Sequence, residues 1–240
     1  MVKHDKFTSE DKEYLNKRKK VAEDLGKPEM YELIDHFPLY CGIMTLSKCL
    51  AISEIVRKIL NLPGHIIEFG CHKGSNLMLI SKLIQLFQPH QYKYVYGFES
   101  FEGLQTFSNK DDVSEKLRGR YSGSKRIIEK MIDLYDMNDY VHIIEGDAIE
   151  TIPKFEKDNP HLLFSLAYLD FDLYEPTIKA LRFIKNRIVS GGLIAFDQAL
   201  TNSWKGEGIA LVEFLDKNFS DYDMEIIPFS REPTIILVRR

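Results

Sequence analysis

Between residues 65 and 196 the chain alternates short apolar runs with amphipathic stretches, and this rhythm limits the fold more than any other feature. HIIEF (65–69), YVYGFE (94–99), VHIIE (141–145), LLFSLAYL (162–169) and LIAF (193–196) have the length and the β-branched and aromatic content of strands. Residues 75–87 and 124–136 between them predict helices, with Leu77, Leu79, Ile80, Leu83, Ile84 and Phe87 on the apolar side of the first. A short helix is expected around Glu150–Phe155, and another from Pro176, which suits a first turn, to about Ile188. Gly191 and Gly192 are expected to turn the chain into the fifth strand. Helix 208–219 follows, then MEIIPF and TIILV, separated by SREP, as a terminal antiparallel pair. Strands alternating with helices predict βαβ units and a largely parallel sheet. Continuously apolar strands fit a sheet covered on both faces. The expected fold class is α/β, doubly wound and Rossmann-like.

Upstream, apolar residues recur at helical spacing from Gly42 to Leu60 (Ile43, Leu46, Leu50, Ile55, Ile59) until Asn61, Pro63 and Gly64 stop the helix. Residues 1–41 are read as an N-terminal helical arm and 42–240 as the main domain. Within the arm, 7–25 predicts an exposed helix or mobile arm with an acidic start at Thr8, Ser9, Glu10 and Asp11. YELIDHF, between Pro28 and Pro38, predicts a short helix or loop. Residues 103–123 lack a period and predict a loop or mobile lid. The arm and this lid are expected to serve oligomer contacts or to close over substrate, and a homo-oligomer is expected.

Some functions can be set aside. With 32 basic and 36 acidic side chains the net charge is −4, which gives no footprint of a nucleic-acid binder. No apolar run reaches the roughly 18 residues of a membrane span, and the opening MVKHDKFTSEDKEYLNKRKK is too polar for a signal peptide. Cys41, Cys49 and Cys71 show no C-x-x-C spacing and read as reduced thiols of a cytoplasmic protein.

Ligands of such sheets bind beyond the carboxyl ends of the strands. After the first strand comes Glu68-Phe69-Gly70-Cys71-His72-Lys73-Gly74-Ser75, where the glycines permit tight turning and the helix start offers free N–H groups for a carboxylate. The spacing is G-x-x-x-G, without the G-x-G-x-x-G of dinucleotide binders or a phosphate-binding G-K-[ST]. Alone it is equally well a plain strand-to-helix turn. Glu99 ends the second strand, where an acid can accept from two ribose hydroxyls. Gly146 and Asp147 end the third; Asp147 either meets an adenine amine or caps the next helix. Three strand ends with fitting chemistry say more than any one.

The blocks GHIIEFGCHKGSN, YGFESFEGL, EGDAIETIP, LAYLDFDLYEPT and SGGLIAFDQ, in this order, resemble the macrocin O-methyltransferase family over roughly residues 40–210. The resemblance implies a class I methyltransferase fold acting on a sugar hydroxyl, often of an antibiotic or a nucleotide-linked sugar. It implies S-adenosylmethionine along Gly70, Cys71, Lys73, Gly74 and Ser75, with Glu68 at the strand end, then Glu99, Ser100 and Phe101, and Gly146, Asp147 and Ala148. It also brings Met44 and Thr45, in the segment GIMT, to the methionine end of the cofactor.

Asp170 closes the fourth strand and Asp197 the fifth, so both face one crevice and could give oxygen ligands to a hard cation such as Mg²⁺. The resembling family has a second aspartate where this chain has Gln198, whose amide oxygen coordinates without charge. A metal would stabilise an alkoxide and fix its oxygen for in-line displacement. Asp170, also placed beside the cofactor, is the first candidate for taking the proton and Asp172 the second, although Asp172 could instead cap the helix near Pro176. Trp204, Lys205 and the GEG at 206–208 could wall an acceptor pocket. Arg118, Arg120, Lys125 and Arg126 could hold a diphosphate or simply be solvated. The expected activity is thus methyl transfer to a carbohydrate or nucleotide-sugar hydroxyl. A non-sugar vicinal diol as acceptor, and a non-catalytic cofactor-binding protein, stand as alternatives. A nucleotide-sugar dehydrogenase or epimerase is disfavoured by the missing G-x-G-x-x-G and Tyr-x-x-x-Lys.

Overall fold

A computed structural model describes residues 8–89, 93–111 and 115–240, so the first seven residues of the expected arm and 112–114 of the expected lid lie outside the described residues. The alternating runs fold as β1 (His65–Phe69), α5 (Ser75–Phe87), β2 (Val95–Glu99), α6 (Lys125–Leu134), β3 (Val141–Glu145), α7 (Ala148–Asp158), β4 (Phe164–Leu169), α8 (Tyr174–Ile184), β5 (Ile188–Phe196), α9 (Lys205–Asn218), β6 (Tyr222–Glu225) and β7 (Ile235–Arg239). Helices α1 (Ser9–Asp24), α2 (Met30–Asp35), α3 (Phe37–Tyr40) and α4 (Ile43–Ile59) precede them.

The sheet order is β3-β2-β1-β4-β5-β7-β6. Strands β1 to β5 are parallel, while β7 runs antiparallel to both β5 and β6. The chain builds outward from β1 through β2 to β3 and then crosses back to β4 on the other side of β1. The break in direction therefore lies between β1 and β4, where a crevice opens in sheets of this kind. Both faces are covered, as the unbroken apolar strands require. One core joins Phe69, Phe98, Phe164 and Phe196 to α7, α8 and α9; the other joins Ile66, Leu166 and Tyr168 to α4, α5 and α6.

Several boundaries differ from expectation for local reasons. Helix α7 begins at Ala148, ahead of Glu150, because the Asp147 carboxylate accepts the Ile149 N–H at 2.8 Å and caps it. Helix α8 ends at Ile184 rather than 188, and α9 begins at Lys205 rather than 208. Strand β5 begins at Ile188, so the glycine pair lies within it instead of leading into it. Phe164 pairs with Ile188 but Leu166 with Leu193, a register shift that Gly191, at φ +78, accommodates as a bulge. Strand β6 starts at Tyr222, two residues before the expected MEIIPF, and ends at Glu225.

Helix α1 is largely exposed but docked. Thr8 and Asp11 form a capping box at its start, Asp24 pairs with Lys130 of α6 at 2.6 Å, and Ala22 is buried with Tyr31 and Leu134. The described parts of the 103–123 segment are likewise tied down. The Leu104 N–H donates to the Arg120 carbonyl and the Gly119 N–H to the Leu104 carbonyl, Glu115–Leu117 form a single 3-10 turn, and Lys110 pairs with Glu213 of α9 at 2.9 Å. No helix among the described residues is long and apolar enough to cross a membrane.

Candidate active site

The parallel register sets the site. Phe69 pairs with both Phe98 and Leu169, and Leu169 pairs with Phe196. The ladder then runs one residue further: the Gly70 N–H donates to the Phe98 carbonyl at 2.9 Å, Asp170 to Phe69 at 2.8 Å and Asp197 to Leu169 at 2.9 Å. On the outer side the Gly146 N–H donates to the Glu99 carbonyl at 3.0 Å. Gly70, Glu99, Gly146, Asp170 and Asp197 thus stand along one edge, neighbouring strands being about 5 Å apart. They line one cavity of about 290 Å³, together with Ser100, Asp147, Ala148, Asp172 and Gln198.

Gly70 has no alternative at its position. Its φ is +89, and a Cβ there would lie 2.1 Å from the Asp170 carbonyl oxygen. Glu99 is fixed as an acceptor: Oε2 takes the His72 N–H at 2.6 Å and Oε1 the Phe101 N–H at 2.9 Å. Burial still raises its carboxyl above the ordinary range, against the pull of those amides. Asp147 caps α7, the simpler of its two expected roles, and its other oxygen accepts the Thr106 hydroxyl at 2.8 Å.

The remaining candidates divide. Met44, Thr45 and Ser75 line a second cavity of about 330 Å³, which shares Lys48 and Glu232 with the first. Glu68, Cys71, Lys73, Gly74 and Phe101 line neither. Glu68 is fully buried behind the edge, with no hydrogen-bond partner for either oxygen among the described residues, and burial pushes it up to about 8. Cys71 is buried with its thiol 3.9 Å from the Glu68 carbonyl, and Lys73 is exposed. His72 lines the cavity edge-on to Tyr121, which in turn stands edge-on to Trp204. Arg118 instead donates to the Gln105 carbonyl, and Lys125 pairs with Glu145 at 2.7 Å; Arg118, Arg120, Lys125 and Arg126 line neither cavity.

The floor of the crevice is acidic. Burial raises Asp170 well above its ordinary range, helped by the charge of Asp197, and raises Glu207 likewise. It pushes Asp172 up to about 7, helped by Asp197 and Glu232. Asp172 sits at φ +62, an uncommon conformation for a residue with a side chain, and its Oδ1 is buried without a partner among the described residues. It does not cap α8: the Tyr174 N–H goes to Asp111. Burial also raises Asp197, opposed by Lys48 and by the Tyr168 hydroxyl, which donates to Oδ1.

Sequence reasoning missed Lys48. Its Nζ lies 2.9 and 3.1 Å from the two oxygens of Asp197 and 3.0 Å from Glu232. Burial alone would lower the ammonium, but the charges of Asp197 and Asp170 outweigh it and hold it above its ordinary range. The only signal was that Lys48 is the single basic residue between Gly42 and Val56, in an amphipathic helix that also carries Thr45, Ser47, Ser53 and Glu54. Thr106 and Glu232 were missed as well, since loops carry no periodicity.

A resident divalent cation does not fit this arrangement. Both oxygens of Asp197 are taken by Lys48, and the Gln198 amide nitrogen points to Glu232 at 3.4 Å while its backbone N–H donates to Glu207 at 3.1 Å. Among the described residues no group of three or more His, Cys, Asp or Glu could hold a metal ion.

The fold and this strand-edge crevice define a class I methyltransferase. Residues 10–227 match the family described as macrocin O-methyltransferase (TylF), and the chain belongs to that family. It is accordingly an S-adenosylmethionine-dependent O-methyltransferase. Among solved structures it is similar to CalS11, a calicheamicin methyltransferase, at 26% identity and a TM-score of 0.76, covering 98% of this chain and 94% of that one. The apo structure of CalS11, described as a TDP-rhamnose 3'-O-methyltransferase, matches at 26% identity and a TM-score of 0.71, covering 98% and 96%. The O-methyltransferase NovP, at 18% identity and a TM-score of 0.66 over 80% and 79%, shares the fold.

Proposed function

We propose that this chain methylates a hydroxyl of a sugar, most simply of a nucleotide-linked sugar, at the cavity lined by Gly70, Glu99, Asp147 and Asp172. The observation that carries this reading is the single continuous crevice in which the glycine edge meets a buried carboxylate floor. The likeness to a TDP-rhamnose methyltransferase over nearly the whole of both chains supports the choice of acceptor class.

S-adenosylmethionine, when bound, supplies a methyl on a sulfonium; transfer breaks the S–C bond, forms an O–C bond to the acceptor, and leaves S-adenosylhomocysteine, a methyl ether and one proton. Glu99 holds the ribose hydroxyls with the lone pairs its backbone donors leave free. Asp147 and the Gly146–Ala148 backbone border the adenine. Met44, Thr45 and Ser75 meet the methionine end, beside the free N–H groups at the start of α5. Tyr121 and Trp204 form an aromatic wall suited to the C–H face of a pyranose ring.

Asp172 accepts the hydroxyl proton. Its unpartnered oxygen and its raised carboxyl suit a base working near neutrality, so it takes precedence over Asp170, the reverse of the order expected from sequence. Magnesium assistance is not carried into this reading, because Asp197 is already engaged.

The test is a screen of nucleotide-sugars, glycosides and catechol-like diols, with S-adenosylmethionine, followed by mass spectrometry. A gain of one methyl on a sugar substrate is the expected result. Methylation confined to the diols would replace the acceptor class. Calorimetric titration with S-adenosylhomocysteine, expected to show one saturable site, checks the cofactor separately.

A further inference from the structure

We infer that the Lys48 ammonium is the built-in cation of this site, holding Asp197 and Glu232 in the place where a divalent metal ion would otherwise sit. The inference rests on the reading of the crevice as a methyl-transfer site, and adds a positioning residue and a metal-independent mode of action to it.

The geometry is specific. Nζ is within 3.1 Å of both Asp197 oxygens, so it occupies the side of the carboxylate that a chelated cation takes. Magnesium needs oxygens at about 2.0–2.1 Å in near-octahedral array, and an ammonium on the same two atoms excludes it by volume and by charge. Tyr168 takes a further lone pair of Oδ1. Glu232, the second carboxylate on Nζ, arrives from the loop between β6 and β7, so one ammonium ties α4, the end of β5 and that loop together. Gln198, the neutral neighbour of Asp197, is consistent with a site already holding its positive charge: a second aspartate there would have added a negative charge that Lys48 alone would have to balance. Its amide instead donates to Glu232, extending the same network.

Lysine is suited to this role. Its ammonium is a compact point charge with three donors, and here it has three acceptor oxygens within 3.1 Å. The floor is therefore fixed before substrate arrives, which is what orientation-based catalysis requires. Lys48 lines both cavities, so it stands where the methionine end of the cofactor meets the acceptor side.

The experiment uses the full chain after exhaustive chelation. Mn²⁺ binding is followed by electron paramagnetic resonance, with and without S-adenosylhomocysteine, in the natural protein and in Lys48→Met and Lys48→Arg. The natural protein and Lys48→Arg are expected to show no saturable Mn²⁺ site. Lys48→Met, which leaves Asp197 buried without its cation, is expected to gain one. With an accepted sugar, turnover of the natural protein should change less than about twofold in EDTA, while Lys48→Met should lose more than about tenfold in kcat and recover part of it with Mg²⁺. A stoichiometric Mn²⁺ site in the natural protein, or turnover abolished by EDTA and restored by Mg²⁺, overturns the inference. If Lys48→Met does not fold, the natural protein and Lys48→Arg still decide it by Mn²⁺ binding. Failure of the acceptor screen would count against the proposed function, whereas Mn²⁺ binding tests Lys48 with no acceptor present.

Discussion

The Asp111 carboxylate accepts the Tyr174 backbone N–H at 2.7 Å, so the 103–123 segment supplies the cap of α8, from 63 residues upstream. Its other oxygen holds the Ser108 N–H and hydroxyl at 2.7 and 2.9 Å. One side chain thus fixes both the loop over the crevice and the helix that follows Asp172. Asp111→Ala should cost about 1–2 kcal/mol of stability, as loss of a cap does, and should loosen the loop. Hydrogen exchange is the measurement: protection should fall at Leu104 and Gly119, whose amides pair across the loop, and stay unchanged in β1 and β4. Uniform loss across the sheet would mean that Asp111 serves the fold at large and not the loop.

Gly70 is constrained twice, by its positive φ and by the Asp170 carbonyl against its missing Cβ. Gly70→Ala must push β1 and β4 apart at the edge where the cofactor is proposed to lie. Strain at such a position costs about 1–3 kcal/mol, with the clash in addition. The melting temperature should fall, and affinity for S-adenosylhomocysteine, by titration calorimetry, should fall by more than about tenfold. A stable variant with unchanged affinity would move the cofactor away from β1.

Glu68 gives a pH signature. Its carboxyl is raised from an ordinary value of 4.5 to about 8 by burial, so the folded chain holds a proton there that the unfolded chain has lost. The favourable contribution is complete below pH 4.5 and is lost as pH rises toward 8. Within that window stability falls by roughly one kcal/mol per pH unit at the steepest. Glu68→Gln, which mimics the protonated form, should flatten that slope in urea titrations run from pH 5 to 8. A variant with the slope of the natural protein would place the Glu68 charge in contact with water or a partner.

The strand ends were legible because each is a local pattern: an apolar run, then Gly70, Glu99, Gly146, Asp170 or Asp197, with the parallel register bringing them level. The terminal antiparallel pair and the helix over 75–87 were legible for the same reason. Contacts between distant segments were not. Lys48 and Asp197 are 149 residues apart, and nothing in an amphipathic helix tells which of its polar residues will meet a buried carboxylate. The same holds for Thr106 and Asp147. Asp147 and Asp172 show the limit from the other side. Both stood before predicted helices as candidate caps; Asp147 caps, whereas Asp172 yields that place to Asp111 and keeps an oxygen free. Only the path of the 103–123 segment decides between them. The bulge at Gly191 was hidden because a glycine pair reads as a turn, and it becomes part of a strand only through the register of its neighbour.

Asp172 carries the sharpest consequence for activity. Proton acceptance by a placed carboxylate is worth roughly 10²–10⁴ in rate. Asp172→Asn keeps size and shape but cannot take the proton, so kcat should fall by about that factor while KM for the sugar and affinity for S-adenosylhomocysteine stay within a few-fold. Asp170→Asn separates the two candidates: as a residue that shapes the edge rather than the base, it should keep most of kcat and weaken substrate or cofactor binding instead. Single-turnover rates for both variants under saturating cofactor settle the assignment. If the Asp170 variant loses the chemical step and the Asp172 variant retains it, the base is Asp170, and the unpartnered oxygen of Asp172 belongs to acceptor binding.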